Sequence, residues 1–347
     1  MLSERALNRA VLARQLLLER SDLPVPRALE QLAGLQTQYA PAAYVALWSR
    51  LAGFTKGALT GALLSRRVVQ AWMMRCTIHM VSAEDHRPLT EAVRLPRRAS
   101  FPVAEGVDPE AVADAIRGYL ADGPLKQAEL QKRLTADGFP TTAWRTAQLW
   151  IDLVRVPPAG TWNQPRAHVY GLADAWVRRH GPVSAEAGEE LLVTRYLGGF
   201  GPASVKDVAS FCGWKPAATR VVLDRMELRR STDERGGELL DLPGAPLPAE
   251  DTPAPVRFLG QWDAVLLVHA RRAQILPERH RPKVFATTMP QSVPTFLVDG
   301  QVAGTWKAPT SKGADGEVRV EPFEPLPPGV RDEVHDEARR LTAFWGS

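Results

Sequence analysis

Ser204–Asp241 reads SVKDVASFCGWKPAATRVVLDRMELRRSTDERGGELLD, and its punctuation decides the fold. A short helix with Asp207-Val208 in step follows Gly201-Pro202. A second helix runs from about Lys215 to Met226 and leads into strand-like Leu228-Arg229-Arg230, the turn Arg235-Gly236-Gly237 and a strand over Glu238 to Asp241. Helix, helix-turn-helix, hairpin is the plan of a winged helix. Its second helix suits the DNA major groove and its wing suits the backbone or minor groove. Winged helices also serve as protein-binding modules, so the plan alone leaves both partners open.

Working outward, the same plan recurs upstream. An apolar-periodic helix ends at Gly123-Pro124, a short helix carries Glu129-Leu130, and a helix over about Thr141 to Leu153 leads into Val154-Arg155-Val156, a Pro-Gly turn and a strand around His168-Val169-Tyr170. The first hundred residues fit more loosely, with helices expected at about 3–20, 26–37, 41–51 and 56–65 and a strand pair within Val68 to Val81. After the Pro-rich stretch Leu242 to Pro255, which has a linker's composition, the pattern turns to strands. Val256 to Leu259 and Ala264 to Val268 are apolar runs of strand length, and Asp299-Gly300 is a preferred hairpin turn between Thr295–Val298 and Gln301–Trp306. An amphipathic helix over Arg331 to Trp345 closes the chain. The expected fold is α+β and mostly helical: three tandem winged-helix units, 1–107, 108–182 and 183–250, followed by a β-rich element with a closing helix, 251–347.

Composition narrows the function without naming it. The chain has 347 residues, enough for several modules, and a net charge of +4, compatible with a polyanion without requiring one. Two cysteines, Cys76 and Cys212, cannot build a disulfide scaffold or a thiolate zinc site, which points to a reducing compartment and no metal. No run of about 18 apolar residues occurs and no secretory leader is evident, so the expected protein is cytoplasmic with no membrane partner.

Several blocks resemble one family, the AlkZ- and YcaQ-like bacterial DNA glycosylases. They are Leu32-Ala33-Gly34-Leu35-Gln36-Thr37-Gln38 with Pro41 and Arg50, and Arg75-Cys76-Thr77-Ile78-His79-Met80-Val81 with Glu84-Asp85. Farther on come Trp262-Asp263-Ala264-Val265-Leu266-Leu267, Arg271-Arg272, Pro277 to Arg281, Val284-Phe285, Val298-Asp299-Gly300 and Gly304-Thr305-Trp306. The resemblance spans nearly the whole chain. It implies tandem winged helices and a catalytic Gln-x-Gln motif at Gln36 and Gln38, the form of the AlkZ-like branch, where YcaQ-like members carry Gln-x-Asp. Two positions depart from the pattern: Thr37 stands where relatives are apolar or small, and Cys76 stands where a glycine is expected in the hairpin turn.

Glutamine cannot act as a general base, but its carbonyl accepts and its amide donates, so a pair can orient a water. That suffices when the leaving base is already cationic, as a purine alkylated at guanine N7 or adenine N3 is. The expected activity is therefore monofunctional hydrolysis of cationic N-alkylpurines in double-stranded DNA, with no cofactor. By resemblance the substrates extend to bulky genotoxin adducts and interstrand crosslinks, in DNA repair or antibiotic self-resistance. Residues two apart share a face only on an extended segment, so the helix must end near 36–40, and Pro41 is expected to end it. Arg75, Thr77 and His79 alternate on an expected strand and are candidate DNA contacts. Arg271, Arg272 and Arg281 lie in the densest basic stretch and are candidate phosphate ligands; Trp306 is a candidate stacking residue whose other role is core. The expected state is a monomer wrapped on DNA. The alternative is a non-catalytic winged-helix transcription regulator, and a protein-interaction scaffold is a third possibility that leaves the glutamine pair without a role.

Overall fold

A computed structural model describes residues 1–347 except 101–102, 104, 178–180, 268–272, 286–291 and 310–315. The chain is an α+β protein. Its first segment runs α1 (Glu4–Arg14), α2 (Val25–Gln31), β1 (Leu35–Gln36), α3 (Ala40–Arg50), α4 (Lys56–Leu64), β2 (Val68–Trp72), β3 (Ile78–Ser82) and α5 (Ala83–Ser100). The second runs α6 (Pro109–Tyr119), β4 (Leu125–Lys126), α7 (Gln127–Ala136), α8 (Ala143–Ala147), β5 (Leu153–Arg155), β6 (Val169–Leu172) and α9 (Ala173–Trp176). The third runs α10 (Ala185–Phe200), α11 (Val205–Cys212), α12 (Pro216–Asp224), β7 (Arg229–Thr232) and β8 (Glu238–Asp241). The last holds β9 (Arg257–Leu259), α13 (Ala264–Leu267), α14 (Arg281–Val284), β10 (Thr295–Val298), β11 (Gln301–Lys307), β12 (Arg319–Pro322) and α15 (Pro328–Gly346).

Local chemistry explains the elements of the opening stretch. Ser204 and Asp207 form a reciprocal capping box at the start of α11, and Gly213 ends it in the left-handed region at φ 73°. The β7–β8 hairpin pairs Arg229 with Asp241 through Thr232 with Glu238, and Gly236 supplies a positive φ of 77° in its turn. The β10–β11 hairpin turns through Asp299 and Gly300, both at positive φ.

The hairpins of the first and second segments are not separate. Strands pair in the order β1-β3-β2-β5-β6-β4, every pair antiparallel, and β2 meets β5 through Gln70–Arg155 and Ala71–Val154. The boundary expected at 107–108 thus falls between stretches that share one sheet. A second sheet, β12-β11-β10-β9, shares a core with α3 and α15 through Phe258, Phe296, Trp306, Leu47 and Leu341.

Several boundaries differ from expectation. α1 ends at Arg14, not near 20, because Leu16 adopts φ 56°. The helix expected over 141–153 is helical only over Ala143–Ala147. The run Ala264 to Val268, expected as a strand, forms α13 over Ala264–Leu267, with residue 268 outside the described residues; Asp263 Oδ1 accepts from the Val265 backbone N–H at its start. The stretch 242–255 is not a free linker. Arg14, Arg5 and Arg9 of α1 donate to the carbonyls of Pro246, Glu250 and Thr252 at 2.9, 2.8 and 2.7 Å, holding the chain as a strap.

Two buried ion pairs tie the segments together. Arg14 donates to both carboxylate oxygens of Asp241 at 2.6 and 2.9 Å. Arg50, at the end of α3, does the same to Asp263 at 2.9 and 2.8 Å, with both side chains fully buried. Removing one member of such a pair strands a charge, whereas replacing both with apolar groups does not. Arg50→Met is expected to lower stability in urea unfolding by about 3–5 kcal/mol, and Arg50→Met with Asp263→Leu to recover most of it. Equal losses in the single and double variants would contradict this account.

Candidate active site

The glutamine pair is placed by the way α2 ends. Ala33 and Gly34 both take left-handed φ, 58° and 77°, and the Gly34 N–H closes on the Leu29 carbonyl at 2.8 Å. A Cβ on Gly34 would lie 3.0 Å from Val81 Cγ1 and 3.1 Å from the Met80 carbonyl oxygen, so glycine allows the chain to pass tightly against β3. Leu35 then pairs with Met80 and Gln36 with His79, and the Thr37 N–H donates to the Ile78 carbonyl at 2.8 Å. Burial alternates along this extended run: Leu35 and Thr37 are buried, Gln36 is half-buried and Gln38 is exposed. Gln36, the last residue of β1, and Gln38, in the bend that follows, are thus the two outward positions of this stretch. The helix ends at Gln31, earlier than expected, and Pro41 sits in the first turn of α3, where proline is favoured, instead of ending α2.

The connection from β2 to β3 corrects a second expectation. Arg75, Thr77 and His79 do not alternate along a strand, since only His79 belongs to β3. Met74–Cys76 form a single 3-10 turn with Arg75 at φ 52° and Cys76 at φ 54°, closed by the Met73 N–H donating to the Thr77 carbonyl at 3.0 Å. Two consecutive non-glycine residues in the left-handed region are uncommon. Cys76 thus stands where a glycine is expected and keeps a glycine's backbone. The turn directs Arg75 inward: its Nη2 donates to Gln36 Oε1 at 3.1 Å and its Nη1 to the Phe211 carbonyl at 3.3 Å, with the guanidinium carbon 5.3 Å from the Phe211 ring centroid. Thr77 Oγ1 donates to the Met74 carbonyl at 3.2 Å, a bond within the turn.

His79 is neutral here. Burial, then the nearby Arg75 charge, lowers its pKa to about 3, against a smaller opposite effect of its bond to Thr77. Its Nδ1 lies 3.0 Å from the Thr77 carbonyl oxygen, which can only accept, so the proton is assigned to Nδ1. Burial also lowers the Arg75 pKa to about 10, leaving it charged at neutral pH. Neither group changes protonation between pH 5 and 8.

The remaining candidates do not gather at this face in the same way. Trp306 is 3% exposed and donates Nε1–H to the Leu259 carbonyl at 2.9 Å, so it is a core residue and not a stacking platform. Arg281 is exposed on α14, 3.6 Å from Glu278. Arg271 and Arg272 lie outside the described residues. Among the described residues no group of three His, Cys, Asp or Glu side chains could hold a metal ion, and no helix is long and apolar enough to cross a membrane. Two residues that support the site escaped sequence reasoning. Phe211, from the third segment, seats Arg75 with its carbonyl and ring. Arg97, buried on α5, donates to the Trp72 and Gln148 carbonyls at 2.9 and 3.3 Å and fixes the strand end before the turn. No local sequence signal marks either one.

The family model described as DNA glycosylase AlkZ-like matches residues 29–344. Among solved structures the chain is similar to the Streptomyces sahachiroi DNA glycosylase AlkZ, with a TM-score of 0.81 and 21% identity over 100% of this chain and 98% of that one. At that identity the likeness shows the fold. No curated protein sequence matches.

The buried histidines have a consequence for acid stability. Burial holds His79 at about 3 and His86 at about 4, against 6.5 when unfolded. The unfolded chain therefore takes up protons first, and the stability present above pH 6.5 is lost as pH falls from about 6.5 toward 3–4. The urea midpoint is expected to fall through this window, and His79→Gln to make the fall shallower. An identical acid slope in that variant would show that His79 does not titrate this way.

Proposed function

This chain belongs to the AlkZ-like DNA glycosylase family, and from that premise we propose that it hydrolyses the N-glycosidic bond of cationic N-alkylpurines, N7-alkylguanine and N3-alkyladenine, in duplex DNA. The observation that carries the proposal is that Gln36 and Gln38 are the outward positions of their stretch, with Gln36 paired opposite a histidine that stays neutral down to about pH 3. Two glutamines can position a water, and among the described residues no carboxylate is hydrogen-bonded to either of them to act as acid or base near pH 7. Such a pair suits a leaving group that carries its own activation.

The reaction balances without a protein acid or base. The C1′–N bond breaks with its electron pair passing to the cationic purine, which leaves neutral. Water oxygen bonds to C1′, and its proton passes to bulk water. The chain's task is to hold the water against an oxocarbenium-like transition state. An amine nucleophile would be needed for strand cleavage through a Schiff base, and no lysine lies in the motif or in the β2–β3 turn. The activity is therefore hydrolysis alone.

Elements α6, β4, α7, α8, β5 and β6, and likewise α10, α11, α12, β7 and β8, follow the order of a winged helix, and we read the first three segments as tandem winged-helix units acting on DNA as a monomer. The exposed position of Gln38 suits an open cleft and not a closed base pocket, which favours bulky adducts and crosslinked purines that cannot be flipped. Arg281, with Arg271 and Arg272 of the same basic stretch, supplies phosphate contacts that weaken with salt.

Duplex DNA carrying a single N7-methylguanine tests this. Wild type is expected to release the free base and leave an abasic site, and Gln36→Ala and Gln38→Ala each to lower the single-turnover rate by about 100-fold. Uracil in the same position is expected to stay in place. Release of uracil at a comparable rate, or variants as fast as wild type, would refute the proposal.

A further inference from the structure

A glutamine side chain has an accepting end and a donating end, and the end that faces the substrate decides what it can do. Arg75 carries only donors, so its bond to Gln36 settles which end of that amide it meets. Flipping the amide would set donor against donor. The Gln36 carbonyl is thus committed to Arg75, and Nε2 is the end left free to face the water. The guanidinium is itself held apart from this bond, by the Phe211 carbonyl and ring and by a turn with two successive left-handed residues. Among the described residues no carboxylate pairs with Arg75. An unneutralised cation on the carbonyl polarises the amide and strengthens its N–H donors. Gln38 differs: it is exposed, and among the described residues no hydrogen bond holds its side chain.

Taking the assignment of Gln36 and Gln38 to the reaction as its premise, we infer that the two glutamines have different roles and that Arg75 sets the difference. Arg75 is a positioning residue that presents Gln36 as a hydrogen-bond donor to the attacking water, while Gln38 Oε1 accepts from that same water. One lone pair of the water then receives the Gln36 Nε2–H, one O–H is held by Gln38, and the second lone pair points at C1′. The new C1′–O bond forms from that lone pair, the purine takes the electrons of the C1′–N bond, and the proton leaves to solvent. In a transition state that is already largely dissociated, aiming the water matters more than raising its nucleophilicity.

Gln36→Glu separates this inference from its premise. The substitution keeps the shape and an oxygen facing Arg75 but turns the free end from donor to acceptor at neutral pH. On duplex DNA carrying N7-methylguanine its single-turnover rate is expected to fall about 100-fold, as far as that of Gln36→Ala. Arg75→Leu is expected to lower the rate at saturating enzyme about 10-fold with unchanged affinity for undamaged duplex, and Arg75→Lys to restore part of it. Thermal melting confirms that each variant is folded. A Gln36→Glu enzyme at or above the wild-type rate overturns the inference even where Gln36→Ala is inactive. Loss of duplex affinity and of salt dependence in Arg75→Leu, with the saturated rate intact, would make Arg75 a phosphate contact and overturn it as well. If Gln36→Ala itself keeps full activity, the premise fails and not merely the division of roles.

Discussion

The tight pass of Gly34 against β3 is the constraint on which the site depends. The chain leaves α2 through two left-handed residues, and a Cβ at Gly34 would press on Val81 and on the Met80 carbonyl. Only by lying that close does the two-residue strand β1 join the sheet, and the pairing continues through the Thr37 N–H to the Ile78 carbonyl, so that Leu35 and Thr37 go inward while Gln36 is half-buried and Gln38 exposed. Had the helix continued through Gln38, the glutamines would point nearly opposite ways.

The rest of the fold holds that edge still. β3 pairs with β1 on one side and β2 on the other, and β2 is carried by the hairpin of the second segment. The turn between β2 and β3 is anchored by Arg75 on Phe211, from the third segment. Arg50 at the end of α3 is locked to Asp263 in the last segment. Each of the four segments thus has a stake in a site made mostly from the first. Burial also keeps His79, paired opposite Gln36, neutral.

What the residues revealed in advance was what local chemistry decides. Gly236 and the Asp299-Gly300 pair marked their hairpins because positive φ favours those residue types. The alternation of Arg75, Thr77 and His79 misled, because a turn with non-glycine residues at positive φ looks like a strand when only side-chain types are visible. Ala264 to Leu267 misled because a short apolar run does not distinguish helix from strand. Trp306 could serve as core or as a stacking surface, and only its burial decides. The β2–β5 pairing and the seat of Arg75 on Phe211 join residues far apart in the chain, and no local pattern announces them. The glutamine pair was visible through its surrounding blocks, but the geometry that unites its two members came from the left-handed turn at Ala33-Gly34, and not from Pro41.

The central claim is that the charge of the lesion, and not an acid on the protein, activates the leaving base. It is tested most directly with two duplexes identical but for one base: N7-methylguanine, which is cationic, and 7-methyl-7-deazaguanine, which has nearly the same shape and is neutral. Single-turnover release of both should be measured with the wild-type protein. The account predicts release of the cationic base alone, with comparable binding of the two duplexes. Release of the neutral analogue at a similar rate would contradict it, because a group on the protein would then have to activate the base.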